Sequence, residues 1–357
     1  MNYKQKPDLK ILLIQFRPAG DVLLLTPAVK AIKAQFPHSK VDFIVNEKES
    51  VLIWNFPLID KIITIKKHSK KSLSCYLRYL LYTISLYRYI RNRRYDVVID
   101  FIGNPKSAAI TFFSRANKKI GRKVSFRSIV YNFRITHHHK NMNTVERRLN
   151  YLKPLGINSE YTQPVLFLSN HDIKTANNFV NSLNIPKKRR IIFLAPNSPR
   201  GARRWKAEYF ISIAEKLTEV YNAKILLAWG PGEEDFTKKI KAAISSDAEM
   251  IPPCSLTEMA AIISLSDLII TNDCGTKHLA NAVGVRSITI YGPTNPFVWN
   301  HIDMDNNPAI RADVACIQCE KRECPLDEHI CMQAITPEIV MKVAQKLLDE
   351  GDILYCE

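Results

Sequence analysis

The sequence predicts an α/β protein built from two doubly wound parallel sheets, and three observations predict it. Short apolar runs such as Ile11 to Ile14 have the character of strands buried on both faces. Stretches of helical period alternate with these runs through both halves of the chain, as in βαβ folds. The 357 residues also exceed what one core holds, since single cores stop growing at roughly 250–300 residues. The expected division is residues 1–169 and 170–357, with the last helix free to pack back on the first domain.

The elements follow in order. Leu9 to Phe16 is the first strand, and Arg17-Pro18-Ala19-Gly20-Asp21 is a turn with a breaker and a flexible residue. Val22 to Phe36 has helical period, with Pro27 near its first turn, where proline is tolerated. Val41 to Val45 completes a βαβ unit. Ile62 to Ile65 is a strand, Leu73 to Arg91 a helix, Tyr95 to Phe101 a strand and Lys106 to Phe113 a helix. Lys119-Ile120-Gly121 is a short strand, and Val145 to Leu152 a helix that ends before Pro154-Leu155-Gly156. The second set starts with a helix, Ile173 to Leu183. Ile191 to Ala195 is a strand with the loop Pro196 to Gly201 after it, and Trp205 to Tyr221 a helix. Lys224 to Trp229 is a strand turned by Gly230-Pro231-Gly232. Thr257 to Leu265, Cys274 to Val283 and Pro337 to Glu350 are helices, and Leu268 to Thr271 and Ser287 to Tyr291 strands.

Composition excludes several classes. Hydrophobic residues at 46% and charged residues at 24% are globular values, so wholesale disorder and collagen-like structure are excluded. No apolar run approaches the roughly 20 residues that cross a bilayer. Ile11 to Phe16 is too short for a signal-peptide core and meets Arg17-Pro18 at once, so the expected compartment is the cytoplasm. The eight cysteines are then expected as free thiols.

Charge is unevenly placed. The net charge is +17, yet residues 1–170 carry 30 basic and 10 acidic side chains and the remainder 21 and 24. Between Lys61 and Arg148 only Asp96, Asp100 and Glu146 oppose 21 basic residues. Such a half fits an anionic partner: a nucleic acid, a membrane surface or an acidic substrate. No helix-turn-helix, zinc-finger or RNP pattern is present, and no nucleic-acid partner is expected. The Leu- and Tyr-rich stretch Leu73 to Arg91, flanked by Lys66-Lys67, Lys70-Lys71 and Arg93-Arg94, has two readings. It is an interfacial helix or a core helix with a charged rim.

Candidate chemistry centres on Thr271 to Gly284. A strand ends in a polar turn, Gly275 permits close backbone approach, and a helix begins with free N–H groups and the positive end of its dipole. That is an anion site suited to a diphosphate, to which Lys277 or His278 would add donors; Asp273 stands where ligand hydroxyls would lie. An ordinary capped helix with a satisfied histidine is the other reading. Asp21 follows the first strand at its carboxyl end. By position alone it reads as a helix N-terminal carboxylate that serves the dipole.

Several segments, in this order, resemble the ADP-heptose:lipopolysaccharide heptosyltransferases, glycosyltransferase family 9. They are Gly20-Asp21-Val22, Arg94 to Asp100, Leu155-Gly156, Arg203-Arg204-Trp205, Trp229 to Glu233, Asp273 to Ala280 and Tyr291-Gly292-Pro293-Thr294. The resemblance spans nearly the whole chain. It implies a GT-B fold of two Rossmann-like domains facing a central cleft, the first for the acceptor and the second for the nucleotide-sugar. It also implies inverting, metal-independent heptose transfer from ADP-heptose to an anionic lipopolysaccharide core at the inner face of the cytoplasmic membrane, with no cofactor. A paralogue that binds without turnover, or one with another donor sugar, is the alternative.

The resemblance assigns residues too. Asp21 is the base, Ser198 faces phosphate, Glu233 the ribose, and Cys254 the adenine edge through its backbone. Asp273 meets heptose hydroxyls, and Cys274, Gly275, Thr276, Lys277 and His278 line the diphosphate. Two positions depart from the family pattern: Arg203 stands where the family has a phosphate-binding lysine, and Cys274 where it has Thr or Ser. Arginine keeps the charge but offers a planar fork instead of a point charge.

Two further groups stand outside this reading. Cys316, Cys319, Cys324 and Cys331 are spaced either as zinc ligands or as packed thiols, and no metal site is assigned to them. His137-His138-His139 reads as a solvated loop, since consecutive residues share no face.

Overall fold

The computed structural model describes residues 8–66, 73–123, 126–136, 140–326 and 329–353. His137, His138 and His139 lie outside the described residues. The chain divides into two compact units, Met1–Phe167 and Leu168–Glu357.

The first unit holds a six-stranded parallel sheet. Its strands are β1 (Lys10–Ile14), β2 (Lys40–Asn46), β3 (Lys61–Ile65), β4 (Val97–Asp100), β5 (Lys118–Arg122) and β6 (Phe133–Ile135), in the order β3-β2-β1-β4-β5-β6. Register is set by apolar residues: Ile11 pairs with Val41 on one side and Val97 on the other. Those side chains are fully buried, which is why the strands read as continuous apolar runs. Helices α1 (Ala19–Leu23), α2 (Thr26–Gln35), α3 (Leu73–Arg93), α4 (Pro105–Phe113) and α5 (Thr144–Leu149) connect them. The single helix expected over 22–36 is two: Thr26 Oγ1 donates to the Leu23 carbonyl at 2.8 Å, and Pro27 begins a fresh helix. The helix expected to run to Leu152 changes at Asn150 to a 3-10 turn, which carries Pro154 and ends at Gly156 with φ +75°.

The second unit repeats the topology. Strands β7 (Ile191–Ala195), β8 (Lys224–Leu227), β9 (Ala248–Met250), β10 (Leu268–Asn272), β11 (Ser287–Tyr291) and β12 (Ala309–Arg311) lie in the order β12-β11-β10-β7-β8-β9. Counted from its own first strand this is the order of the first sheet, that of a dinucleotide-binding fold. In each sheet the first and fourth strands are neighbours and the order reverses between them; ligands bind at the carboxyl ends of strands at such a point. The helices are α6 (Asn170–Ser182), α7 (Ala207–Tyr221), α8 (Glu234–Ala243), α9 (Leu256–Ile263), α10 (Gly275–Val283), α11 (Pro296–Trp299), α12 (Ile330–Gln333) and α13 (Pro337–Ile353). Helix α13 packs on α7 and β11 of the same unit, and its Val340, Ala344 and Leu348 are fully buried in that core.

Candidate active site

In the second unit, the segments that follow β7, β10 and β11 meet around one carboxylate. Asp273, directly after β10, is 3% exposed. One of its oxygens accepts a short hydrogen bond from Lys277, one turn along α10. The other accepts from Thr294 Oγ1 at 2.6 Å and pairs with Arg203 at 2.8 Å. Burial alone would raise this carboxyl. The Lys277 and Arg203 charges, with hydrogen bonds from Lys277 and Thr294, hold it at about 2. Lys277 is wholly buried and also bonds the Tyr291 hydroxyl, which donates to Asn300 at 3.4 Å. Burial lowers the Lys277 pKa, opposed by Asp273.

This geometry bears on two expected roles. Lys277 is turned inward, with two of its three N–H donors engaged by Asp273 and Tyr291. Asp273 already accepts from three protein donors, which leaves about one of its four lone-pair sites for a sugar hydroxyl. Together they pin the start of α10. Neighbouring Asn272 adds to this: its side chain accepts from the Trp205 N–H at 2.9 Å and donates to the Pro196 carbonyl at 2.8 Å.

The start of α10 itself is open. Gly275 is exposed, and a Cβ placed there would meet nothing within 4 Å. Cys274, at the N-cap, makes no side-chain capping bond; its thiol lies 3.4 Å from Thr271 Oγ1 and 3.5 Å from Thr276 Oγ1. The first-turn N–H groups and the dipole therefore face outward from Gly275 and Thr276, an arrangement that can hold an anion. His278 is buried in the helix.

Arg203 supplies positive charge beside this turn. Its Nη1 also donates to the Asp273 carbonyl at 3.0 Å, while its Nε is buried without a partner among the described residues. Arg200 stands near it, with its pKa lowered by burial and then by the Arg203 and Arg322 charges. Ser198 is buried, and its hydroxyl accepts from the Arg200 N–H at 3.3 Å. Its carbonyl accepts from Arg204 at 2.7 Å. Glu233 closes the loop after β8, where its carboxylate accepts from the Gly230 N–H at 3.0 Å. Burial raises its pKa against the Gly230 bond and the Arg204 charge. Cys254 precedes α9, and burial, then Glu258, pushes its thiol up to about 11.

The cysteine loop braces this region. Glu320 N–H donates to the Pro293 carbonyl at 2.8 Å and Ala202 N–H to the Arg322 carbonyl at 3.0 Å. Gly292 is needed where Cys331 and Met332 press in: a Cβ there would lie 2.5 Å from the Met332 sulfur and 3.1 Å from that of Cys331. Among the described residues no three His, Cys, Asp or Glu side chains form a group that could hold a metal ion.

In the first unit, Asp21 lies in the first turn of α1 with its side chain 14% exposed. It is ion-paired closely with Arg148, whose side chain is 9% exposed. Arg148 comes from α5, which Asn143 and Glu146 cap reciprocally. Burial lowers the Arg148 pKa, and Asp21 opposes it. At the end of β4, Asp100 is fully buried and accepts from Tyr131 at 2.6 Å, Ile102 N–H at 2.8 Å and Gly103 N–H at 3.0 Å.

Comparison with known proteins now decides the family: the model for "Glycosyltransferase family 9 (heptosyltransferase)" matches residues 83–330, more than half of the chain. The chain belongs to glycosyltransferase family 9. It is a transferase with the GT-B architecture of two Rossmann-like units. Its relatives include lipooligosaccharide heptosyltransferase 2 of Campylobacter jejuni, 25% identical over 92% of this chain and 96% of the relative. Lipopolysaccharide heptosyltransferase 1 of Campylobacter coli is 26% identical over 96% of this chain and all of the relative, 100%. Among solved structures, a glycosyl transferase family 9 protein from Veillonella parvula superposes with a TM-score of 0.80 at 21% identity, covering 96% of this chain and 97% of that one. The Escherichia coli ADP-heptose LPS heptosyltransferase II superposes with a TM-score of 0.77 at 19% identity, covering 96% and 100%.

In this family-9 chain the structure joins Arg203, Asp273, Cys274 and Lys277 in one cluster, with Gly275 and Thr276 at its open edge. Glu233 and Cys254 belong to separate loops of the same unit, and Asp21 to the other unit. Sequence reasoning missed Arg148 as the partner of Asp21, a contact 127 residues apart that no local pattern announces. It also missed Tyr291 and Thr294 as partners of Lys277 and Asp273, although their turn was already conspicuous as Tyr-Gly-Pro-Thr.

Proposed function

We propose that this chain transfers a heptose, with inversion, from ADP-heptose to an anionic lipopolysaccharide inner-core acceptor, working as a peripheral protein on the inner face of the cytoplasmic membrane. The observation that carries this reading is the open start of α10, pinned from below by Asp273 and Lys277 and flanked by Arg203 and Arg200. The curated names of the relatives support the choice of sugar.

Asp21 accepts the proton of the acceptor hydroxyl, and Arg148 fixes its carboxylate. The freed oxygen bonds to the anomeric carbon while the bond from that carbon to the diphosphate oxygen breaks. ADP leaves with the electron pair. Its added charge is met by the α10 N–H groups and by the Arg203 and Arg200 guanidiniums, groups already oriented before the reaction. Glu233 is placed for the ribose hydroxyls, and Cys254 and Ser198 line the remainder of the nucleotide site. No cofactor takes part.

The test is ADP release with a panel of nucleotide-sugars and truncated core acceptors. ADP-heptose with a Kdo- or heptose-terminated acceptor should give release that requires both substrates. Turnover with a different donor sugar would overturn the choice of heptose. Binding of ADP-heptose without turnover on any acceptor would favour a non-catalytic paralogue, the reading that the inward engagement of Arg203 with Asp273 favours.

A further inference from the structure

The first unit exposes an apolar face that the transfer chemistry does not use. Helix α3 has two faces. Its inner stripe, with Leu86 and Ile90 buried, packs against the sheet. Its outer stripe carries Leu77, Leu80, Leu81 and Ile84, which are 57%, 43%, 60% and 38% exposed. That spacing keeps all four on one side of a helix. The patch continues beyond α3. Phe113, at the end of α4, stacks on Tyr87 of α3 at 4.6 Å between ring centroids, and both Phe113 and its neighbour Phe112 are exposed.

The charges around this face are mostly positive, with Glu47 near Tyr82 and Asp96 as acidic exceptions. On the outer side of α3, Arg88 and Arg91 follow the apolar stripe one and two turns on, both exposed. Past the last turn is a hollow of about 770 Å³ whose lining includes Arg91, Arg94 and Arg115, with Asp96 its one acidic lining residue. Lys119 lies over the Phe112 ring, 6.0 Å from its centroid. No helix among the described residues is long and apolar enough to cross a membrane. A stripe of leucines whose helix continues into arginines suits a helix lying in the plane of an anionic lipid surface.

We infer that the outer face of α3, with Phe112 and Phe113, docks on an anionic phospholipid bilayer: the leucines and phenylalanines enter the headgroup boundary and the arginines meet lipid phosphates. This deepens the membrane part of the function proposed above and rests on it. A second copy of the chain is the poorer occupant. It would bring the same basic surroundings, and residues 1–167 carry 30 basic against 10 acidic side chains, so like charges would face each other.

The test uses the full-length protein in flotation with vesicles of phosphatidylethanolamine and phosphatidylglycerol, and with neutral phosphatidylcholine vesicles as the contrast. The wild type should float with the anionic vesicles and less with the neutral ones. The triple variant L77S/L81S/I84S alters side chains that already face outward, so it should keep its thermal unfolding profile. It should also keep its turnover on a detergent-solubilised acceptor while losing vesicle binding roughly tenfold or more. The pair R88E/R91E should lose binding to anionic vesicles alone.

If the wild type binds neither vesicle, the membrane reading itself falls. If the wild type binds and the triple variant binds equally well, the membrane reading stands and the assignment to α3 is overturned. If the wild type is a dimer in gel filtration that the triple variant dissolves, the face is a subunit interface and the lipid assignment is overturned.

Discussion

Each unit keeps an aspartate beyond the carboxyl end of a central strand, and the two are held in opposite ways. Asp21 follows the first strand of its sheet, is partly exposed, and has one charged partner, Arg148. Asp273 follows the fourth strand of its own sheet, is buried, and has its oxygens taken by Lys277, Thr294 and Arg203. A carboxylate held by three internal donors and kept at about 2 is a poor proton acceptor. On this contrast the proposed reactive role goes to the first and an organising role to the second.

That contrast can be broken by experiment, from the largest expected effect down. Asp273→Asn leaves the Lys277 and Arg203 charges buried without compensation. It should cost about 3–5 kcal/mol of stability, read by urea unfolding. A loss under about 1 kcal/mol, within the range for a surface ion pair, would remove the organising role.

Asp21→Asn keeps an oxygen for Arg148 but cannot act as a base. Turnover should fall about 10²- to 10⁴-fold in ADP release while calorimetric donor affinity stays level. Near-normal turnover would transfer the base to another residue.

Acid titration tests the organising role of Asp273. Asp273 is held at about 2, below the ordinary 3.8, so its contribution to stability is complete above pH 4 and is lost as the pH falls toward 2. The wild type should therefore lose about 2 kcal/mol over that window that the Asp273→Asn variant does not lose.

The smallest effect belongs to Arg203→Lys. It places there the lysine that the resemblance implies and keeps the charge; one Arg203 nitrogen, Nη1, meets both the carbonyl and the carboxylate of Asp273, so an ammonium can take over much of that contact. Donor KM should shift by less than about tenfold, with turnover little changed.

Much of the fold was legible because parallel strands buried on both faces read as apolar runs, and those runs fixed the central strands of both sheets. The strands that escaped were β6, β9 and β12. Each has three residues and lies at the edge of its sheet, where half the surroundings are solvent and polar side chains are tolerated. Helix α8 escaped because charged residues dominate its sequence and Thr237 and Ile240 are its buried contacts. At the site, the open start of α10 was visible as a strand, polar turn and helix. The inward turn of Lys277 was not. Exposed lysine is the ordinary state, and its burial depends on Tyr291, fourteen residues away on another strand.

The cluster under α10 also bears on how the second unit folds. Its charges and their hydrogen-bond partner come from three separate stretches of chain: the loop after β7, the start of α10 and, for the Thr294 hydroxyl, the turn after β11. None can leave water cheaply before the others arrive. These segments are therefore expected to acquire structure in one cooperative step. The backbone amides of Asn272, Asp273 and Tyr291, at the strand ends beneath the open turn, should exchange with solvent deuterium together, through the same opening that unfolds the sheet.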